Sequence, residues 1–224
     1  MTEFIYHNRV RLALHKLKDG NDGGNGNGHA LLLLHGLGEH SPSMLPPLYA
    51  NWPGPVHALD FTGHGASDIP AGGGYSCEFL MADADCALAH LGSATVVGRG
   101  LGAYVGLLLA GARPQQVRGA VLLDGPGLAG GGTPAKNPYI PVVDTAWPGP
   151  PDPYAIADLA TDARPPEYAS NYAMLASQHS QLERPVSVCT CEVPEWLQAT
   201  MSLLSLERVN AEEALQDYAA LPTS

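Results

Sequence analysis

The sequence is poor in basic residues and in long apolar runs. It has 11 lysines and arginines against 22 aspartates and glutamates, a formal net charge of −11. Nucleic acids and anionic membranes bind basic patches, so the charge argues against both as partners. The longest apolar runs, Ala30–Leu34 and Val105–Ala110, are too short for a transmembrane helix. Met1-Thr2-Glu3-Phe4 shows no secretory signal pattern, so we expect a cytoplasmic protein.

Cysteines are few, and their spacing indicates neither a disulfide nor a metal site. The four are Cys77, Cys86, Cys189 and Cys191. Cys189 and Cys191 are too close for an ordinary disulfide, and no second close pair provides zinc-ligand spacing. The stretch Gly98–Ala103 loosely imitates a dinucleotide fingerprint, but no acidic residue follows at a strand end about twenty residues later. We therefore expect no cofactor and no metal.

Apolar segments alternate between strand-like and helix-like patterns in the first half of the chain. Residues 4–17 alternate with a period of two around His7-Asn8-Arg9, which predicts an opening β-hairpin. Strands that are apolar on both faces are then predicted at Ala30–Leu34, Val56–Leu59, Ala94–Val97 and Val117–Leu123. One helix is predicted at Cys77–Leu91, and a second follows the third of these strands and runs through Gly111. Buried strands that alternate with helices predict an α/β fold with a mostly parallel sheet and helices on both faces.

The second half has a different pattern. Short helices are predicted around Ala155–Leu159 and Glu167–Ser177, and a small cap-like region is expected at about residues 130–184, over the carboxyl ends of the strands. A further strand is predicted at Pro185–Cys189 and a helix at Glu195–Leu206, and Asn210 can cap a last helix. The whole chain, residues 1–224, is expected to form one domain.

Three motifs follow the predicted strands. His35-Gly36 follows the first buried strand, Asp60-x-x-Gly63-His64-Gly65-x-Ser67 follows the next, and Gly98-x-Gly100-x-Gly102 joins the third to a helix. In this order and spacing they resemble the α/β-hydrolase superfamily, over Phe4–Asp124 and in outline beyond. The resemblance implies the α/β-hydrolase fold, with Gly98–Gly102 as its nucleophile elbow. It also implies that the Asp60–Ser67 motif braces a loop.

The elbow lacks its nucleophile. The resemblance places the attacking side chain at Gly100, which has none, and an oxyanion hole at the N–H groups of Leu37 and Leu101. It also implies a histidine base near the C-terminus, yet the last histidine is His179, within the cap-like region. With nucleophile and base both missing, the chain resembles a degenerate member of a hydrolase family, a pseudoenzyme.

Candidate catalytic residues remain, although none is assigned a role. His40 lies in the loop after the first buried strand, where Glu39 beside it can raise its pKa, and it can act as a base on water. Asp124 and Glu192 stand where an acid partner is expected. Arg99, next to the elbow position, can bind a ligand carboxylate or pair with Asp124 or Glu39.

Three interpretations of function stay open. The first is a non-catalytic protein that binds a small, mostly apolar ligand beneath the cap. The alternative is an enzyme without a covalent nucleophile, which performs water-mediated ester hydrolysis, or a lyase or isomerase step, with the Leu37 and Leu101 oxyanion hole and His40. The third is an interaction module whose acidic surface binds an unknown protein partner. The net charge is the only feature of the sequence that supports this interpretation.

Overall fold

A β-hairpin opens the chain. In the computed structural model, which describes residues 1–20, 28–131 and 149–222, β1 (Thr2–His7) pairs antiparallel with β2 (Val10–Lys18). The turn between them places Asn8 at φ 55°, a left-handed conformation that asparagine tolerates better than most residues. The predicted hairpin is confirmed.

The hairpin adds to a set of parallel strands. The sheet has seven strands in the order β1-β2-β4-β3-β5-β6-β7, and every pairing from β4 to β7 is parallel. The remaining strands are β3 (Ala30–Leu34), β4 (Val56–Leu59), β5 (Ala94–Arg99), β6 (Val117–Leu123) and β7 (Val186–Cys189). This order confirms the predicted α/β-hydrolase fold.

Six helices are described. They are α1 (Cys77–Leu91), α2 (Leu101–Ala112), α3 (Pro153–Thr161), α4 (Pro166–His179), α5 (Glu195–Leu204) and α6 (Ala211–Ala219), and a short 3₁₀ turn spans Pro47–Tyr49. Asn210 caps α6 as predicted, with its side chain accepting the N–H of Glu212 at 2.8 Å. Within the described residues, no helix combines the length and the apolar character that a bilayer crossing requires.

The two faces of the sheet are covered unequally. Alternate residues of each central strand point to opposite faces, so Leu32 and Leu34 pack among α1, α2, α4 and α5 in one apolar core. Leu31 and Leu33 lie in a second, smaller core, whose described cover is α6 and the segment around Tyr49 and Trp52. The thinner layer on this second face leaves room for a cavity.

The cap-like region divides between two locations. At the start of α3, the Asp152 N–H donates to the Gly63 carbonyl at 2.7 Å, which holds this helix over the loops that follow β3 and β4. Helix α4 instead packs against α2 and α5, and its backbone at Tyr172 lies against Gly111. Residues 132–148 of the predicted cap lie outside the described part, so its full extent stays a prediction.

Candidate functional site

The elbow has the backbone expected of a nucleophile turn. Strand β5 ends at Arg99 and α2 begins at Leu101, with Gly100 between them at φ 58° and ψ −116°. A side chain at this φ is strained, as is usual at the attacking residue of such a turn. A Cβ on Gly98 would lie 2.1 Å from the Gly102 carbonyl oxygen. The turn therefore needs its flanking glycines, and its backbone is intact although the nucleophile is missing.

A carbonyl group of the protein itself lies where the sequence resemblance places an oxyanion hole. The Pro126 carbonyl oxygen accepts the Leu37 N–H at 3.0 Å and the Leu101 N–H at 2.9 Å. These are the two donors that the sequence resemblance assigned to a substrate oxyanion. A Cβ built on Gly100 would lie 2.1 Å from the same oxygen and 2.5 Å from the Gly125 carbonyl carbon. The loop after β6 thus fills the space in which the resemblance places the nucleophile side chain and the oxyanion.

Several groups anchor this loop. Arg164 is 3% exposed, and its Nη1 donates to the carbonyl oxygens of Gly127 and Leu128. The Leu128 carbonyl also accepts the Trp196 indole N–H at 2.9 Å. The Arg164 guanidinium lies 4.9 Å from the centre of the Tyr104 ring, a distance at which a cation is attracted to an aromatic face. Contacts from α2, α5 and the segment before α4 therefore hold the loop in place.

Asp124 and Glu192 have structural contacts. The Asp124 carboxylate accepts the backbone N–H of Cys191 at 2.7 Å and that of Glu192 at 3.1 Å, which ties the end of β6 to the end of β7. The Glu192 side chain is exposed. Within residues 1–20, 28–131 and 149–222, neither carboxylate has a histidine as hydrogen-bond partner. The structure therefore does not join either acid to His40 as a catalytic pair.

Arg99 and Glu39 form an ion pair beside the elbow. The Arg99 Nε lies 3.1 Å and 3.0 Å from the two Glu39 carboxylate oxygens, and its Nη1 lies 3.3 Å from the Asp124 carbonyl oxygen. Burial alone would raise the pKa of Glu39, but the hydrogen bonds from Arg99 and from the Gly36 N–H lower it. The carboxylate of Glu39 is thus paired with Arg99 rather than with His40.

Two of the motif histidines are buried and neutral. The Nε2 of His35 accepts the Phe61 N–H at 3.1 Å while its Nδ1 donates to the Gly36 carbonyl at 2.8 Å, and burial lowers the pKa of His35 to about 4. The ring of His64 is held in the same way, between the Gly38 N–H and the Thr62 carbonyl, and burial lowers its pKa also. These rings brace the loops around the elbow.

The other two candidate histidines are exposed. His40 lies 2.8 Å from the Ser41 carbonyl oxygen through its Nδ1. His179 lies exposed at the last residue of α4, consistent with a solvated helix end. Neither imidazole is hydrogen-bonded to a carboxylate in the described part of the chain. His40 borders a cavity beside the elbow.

A cavity of about 490 Å³ lies beside the elbow on the thinly covered second face. Its apolar floor is formed by Leu33, Tyr49, Ala58 and Val97, and its polar rim is formed by Glu39, His40 and Arg99. None of its lining residues belongs to α3 or α4, although the sequence placed a ligand beneath that region. A floor of apolar side chains with a few polar groups at the rim is typical of small-molecule sites.

Sequence reasoning missed the two groups that close the elbow, Pro126 and Arg164. The run Gly125-Pro126-Gly127 directly after a strand does indicate a tight turn. Nothing in that pattern shows where a carbonyl group will point. The buried position of Arg164 has no sequence signal either, since a lone arginine between Ala163 and Pro165 is ordinarily exposed.

The chain matches a family profile and several solved structures. A family profile described as the alpha/beta hydrolase family matches residues 31–224. Epoxide hydrolase A from Mycobacterium thermoresistibile is 27% identical over 55% of this chain and 38% of its own length, with a TM-score of 0.46. The thioesterase domain from the curacin biosynthetic pathway is 17% identical over 98% of this chain and 96% of its own length, with a TM-score of 0.59.

N-formylmaleamic acid deformylase from Pseudomonas putida S16 is 16% identical over 94% of this chain and 92% of its own length, with a TM-score of 0.56. At such identities, the likeness to the thioesterase domain and to the deformylase shows the fold alone. The chain spans about two fifths of the length of the epoxide hydrolase it matches. No curated protein is significantly similar in sequence.

Proposed function

The chain belongs to the alpha/beta hydrolase family, and from that premise we propose that it has lost covalent catalysis at its elbow and binds a small, mostly apolar ligand. The proposal separates this chain from relatives whose names denote hydrolytic enzymes. It includes the cytoplasmic location expected from the sequence, which cell fractionation would test.

One observation carries the first part of this proposal. The Pro126 carbonyl oxygen bonds to both donors of the oxyanion hole and stands 2.1 Å from where a Cβ on Gly100 would lie. A substrate carbonyl would have to displace it, at the expense of two hydrogen bonds that contribute about 1 kcal/mol each. The anchors on Gly127 and Leu128 oppose that displacement. The elbow therefore has neither a nucleophile nor an accessible oxyanion site.

The cavity beside the elbow supports the second part of the proposal. Its volume of about 490 Å³ lies within the range of about 300–1,000 Å³ that is common for small-ligand sites. Arg99 on its rim is already neutralised by Glu39, which weakens any attraction for a ligand carboxylate. A largely neutral, apolar ligand therefore fits the cavity better than an anion does.

A fluorophosphonate probe tests the loss of chemistry at the elbow. We expect no adduct on any residue of the elbow peptide 98–104, in the natural protein or in Gly100→Ser, because the variant hydroxyl has neither a base nor an open oxyanion hole. Mass spectrometry of the digested protein locates any adduct. Labelling of Ser at position 100, or ester hydrolysis gained by that variant, would contradict the proposal.

The neutral dye Nile red tests the ligand site. Its fluorescence should rise on binding to the natural protein and should not rise with Ala58→Leu, which fills the cavity floor with three added carbons. Ala71→Leu adds the same atoms at an exposed position and serves as the matched control. Equal binding by both variants would place the dye elsewhere and would reject this cavity as the site.

The alternative enzyme without a covalent nucleophile rests on one observation. His40 is exposed on the rim of the same cavity, where a water-activating base is needed. Against it, the Leu37 and Leu101 N–H groups are already bonded to Pro126. If any ester hydrolysis, lyase or isomerase activity is found, His40→Ala should abolish it, and unchanged turnover would reject the alternative.

A further inference from the structure

A second group of polar side chains lies at the outer edge of the sheet, on β1 and β2. Thr2 is on β1, His15 is on β2, and Asp60 follows β4. The Nδ1 of His15 lies 2.9 Å from the Thr2 hydroxyl oxygen, and its Nε2 lies 2.9 Å from the Asp60 Oδ2. Strands β4 and β3 separate this hydroxyl–imidazole–carboxylate chain from the elbow strand β5.

The register of the hairpin brings the threonine and the histidine together. Met1 and Lys16 exchange both of their backbone hydrogen bonds, at 3.0 Å and 2.7 Å. The adjacent pair, Thr2 and His15, is therefore a non-hydrogen-bonded pair, in which side chains of an antiparallel ladder approach closest. In the same geometry the Thr2 N–H points away from β2, toward the outer edge of the sheet.

The environment of Asp60 fixes the direction of these hydrogen bonds. Asp60 is 2% exposed and also accepts the N–H of Ser41 at 2.7 Å and of Ala66 at 2.8 Å. Burial alone would raise the pKa of Asp60, but these hydrogen bonds and the one from His15 lower it. An ionised carboxylate only accepts, so the His15 Nε2 carries a proton toward Asp60. In the neutral ring, this leaves Nδ1 as the acceptor that faces the Thr2 hydroxyl.

We propose that Thr2 is a nucleophile for acyl transfer from a small ester, with His15 as its general base and Asp60 as the residue that positions His15. The proposal concerns a site apart from the elbow and goes beyond the ligand binding proposed above. The same three roles occur in serine hydrolases on unrelated folds, where geometry rather than chain order defines them. Here the carboxylate holds Nε2 and the base acts through Nδ1.

The reaction balances without any further reagent except water. The Thr2 oxygen attacks the ester carbonyl carbon as its proton moves to His15 Nδ1, and the Thr2 N–H on the open edge is available as a donor to the oxyanion. The ester C–O bond then breaks, and His15 returns the proton to the leaving alcohol. Water, deprotonated by His15, then attacks the acyl carbon, and the bond between that carbon and the Thr2 oxygen breaks. His15 returns its proton to the Thr2 oxygen, which releases the carboxylic acid and the free hydroxyl.

There is space for a substrate at this site. A cavity of about 650 Å³ is lined by Thr2, His15 and Asp60, and also by Lys16, His40 and Pro42. Thr2 itself is exposed, and the His15 side chain is 21% exposed, while Asp60 is buried behind them. The nucleophile and the base thus face solvent, and the positioning carboxylate does not.

A fluorophosphonate probe with adduct mapping tests the proposal, on protein whose affinity tag is at the C-terminal end so that the Met1–Lys16 pairing is kept. We expect an adduct on Thr2 that persists in Thr2→Ser and disappears in Thr2→Val. Labelling of His15→Gln should be at least about 100-fold slower, the usual loss with a general base. His90→Gln is the matched control. His90 is an exposed histidine of α1 whose Nε2 lies 3.1 Å from a carboxylate oxygen of Glu3, the residue that follows Thr2 on β1. Its labelling rate should not change.

Two results would overturn the proposal: no adduct on Thr2 in the natural protein, or equal labelling rates in His15→Gln and the natural protein. Circular dichroism checks that each variant is folded. If His15→Gln does not fold, the labelling of Thr2→Val and Thr2→Ser still tests the proposal, because residue 2 is exposed and its replacement should not affect folding. An adduct on the elbow peptide would contradict the proposed function instead, so the two failures are distinguishable by the mapped position. Hydrolysis of p-nitrophenyl acetate should follow the same order among the variants.

Discussion

Replacement of Gly100 by serine should destabilise the protein more than a positive φ alone explains. The sparsely populated backbone conformation at φ 58° and ψ −116° costs about 1–3 kcal/mol for a residue with a Cβ. The Cβ would also lie 2.1 Å from the Pro126 oxygen, so the loop must move and give up its hydrogen bonds to Leu37 and Leu101. These contribute about 1 kcal/mol each, so the expected loss in the free energy of unfolding is about 3–5 kcal/mol.

The matched control for this prediction is Gly92→Ser. Gly92 ends α1 at φ 80°, and a Cβ there would meet no atom within 4 Å. This variant should therefore show the backbone strain alone, about 1–3 kcal/mol. Urea denaturation of the natural protein and both variants measures the difference. If Gly100→Ser loses no more stability than Gly92→Ser, the Pro126 carbonyl does not occupy the oxyanion hole in solution, and the reasoning is wrong.

Two further predictions concern buried groups. Arg164→Met removes the donor to the Gly127 and Leu128 carbonyls and should lower the free energy of unfolding by about 1–3 kcal/mol, measured by urea denaturation. Replacement of an exposed arginine, in Arg184→Met, should lower the free energy of unfolding far less. Burial lowers the pKa of His35 to about 4, so below pH 6.5 the unfolded chain binds a proton that the folded protein does not. Stability should therefore fall as the pH drops from 6.5 to 4, and this pH dependence should be weaker in His35→Gln, as thermal unfolding across that range would show; an equal slope would contradict it.

The sequence predicted the sheet well because its strands are defined by local patterns. Ala30–Leu34 and Val117–Leu123 were predicted with the boundaries found, since runs of apolar residues between polar loops mark strands that helices cover. Strand β5 extends to Arg99 rather than ending at Val97, because the last ladder pair joins Arg99 to Leu123. Such differences at element ends arise from tertiary hydrogen bonds that no local pattern contains.

The site was only partly predictable. Gly98, Gly100 and Gly102 identify the elbow because a strand-to-helix turn of this kind needs glycines in that spacing. The ligand is expected beneath the cap, and whether it binds there stays a prediction because residues 132–148 lie outside the described part. The cavity beside the elbow has a floor of residues from the second, smaller core, among them Leu33 and Val97. Among the described residues, only α6 and the segment around Tyr49 and Trp52 cover this core, and such coverage is a property of the packed structure that no motif contains.

The absence of a side chain at Gly100 and the conformation of the Pro126 loop depend on each other. A serine at position 100 and the present loop exclude each other, because the serine Cβ and the Pro126 oxygen would occupy the same space. With glycine there, the loop can satisfy the Leu37 and Leu101 N–H groups, which are costly to leave without a partner when buried. Under the proposed function, a serine introduced at position 100 would therefore meet two further obstacles, the Pro126 carbonyl bonded to the Leu37 and Leu101 N–H groups and the lack of a histidine base.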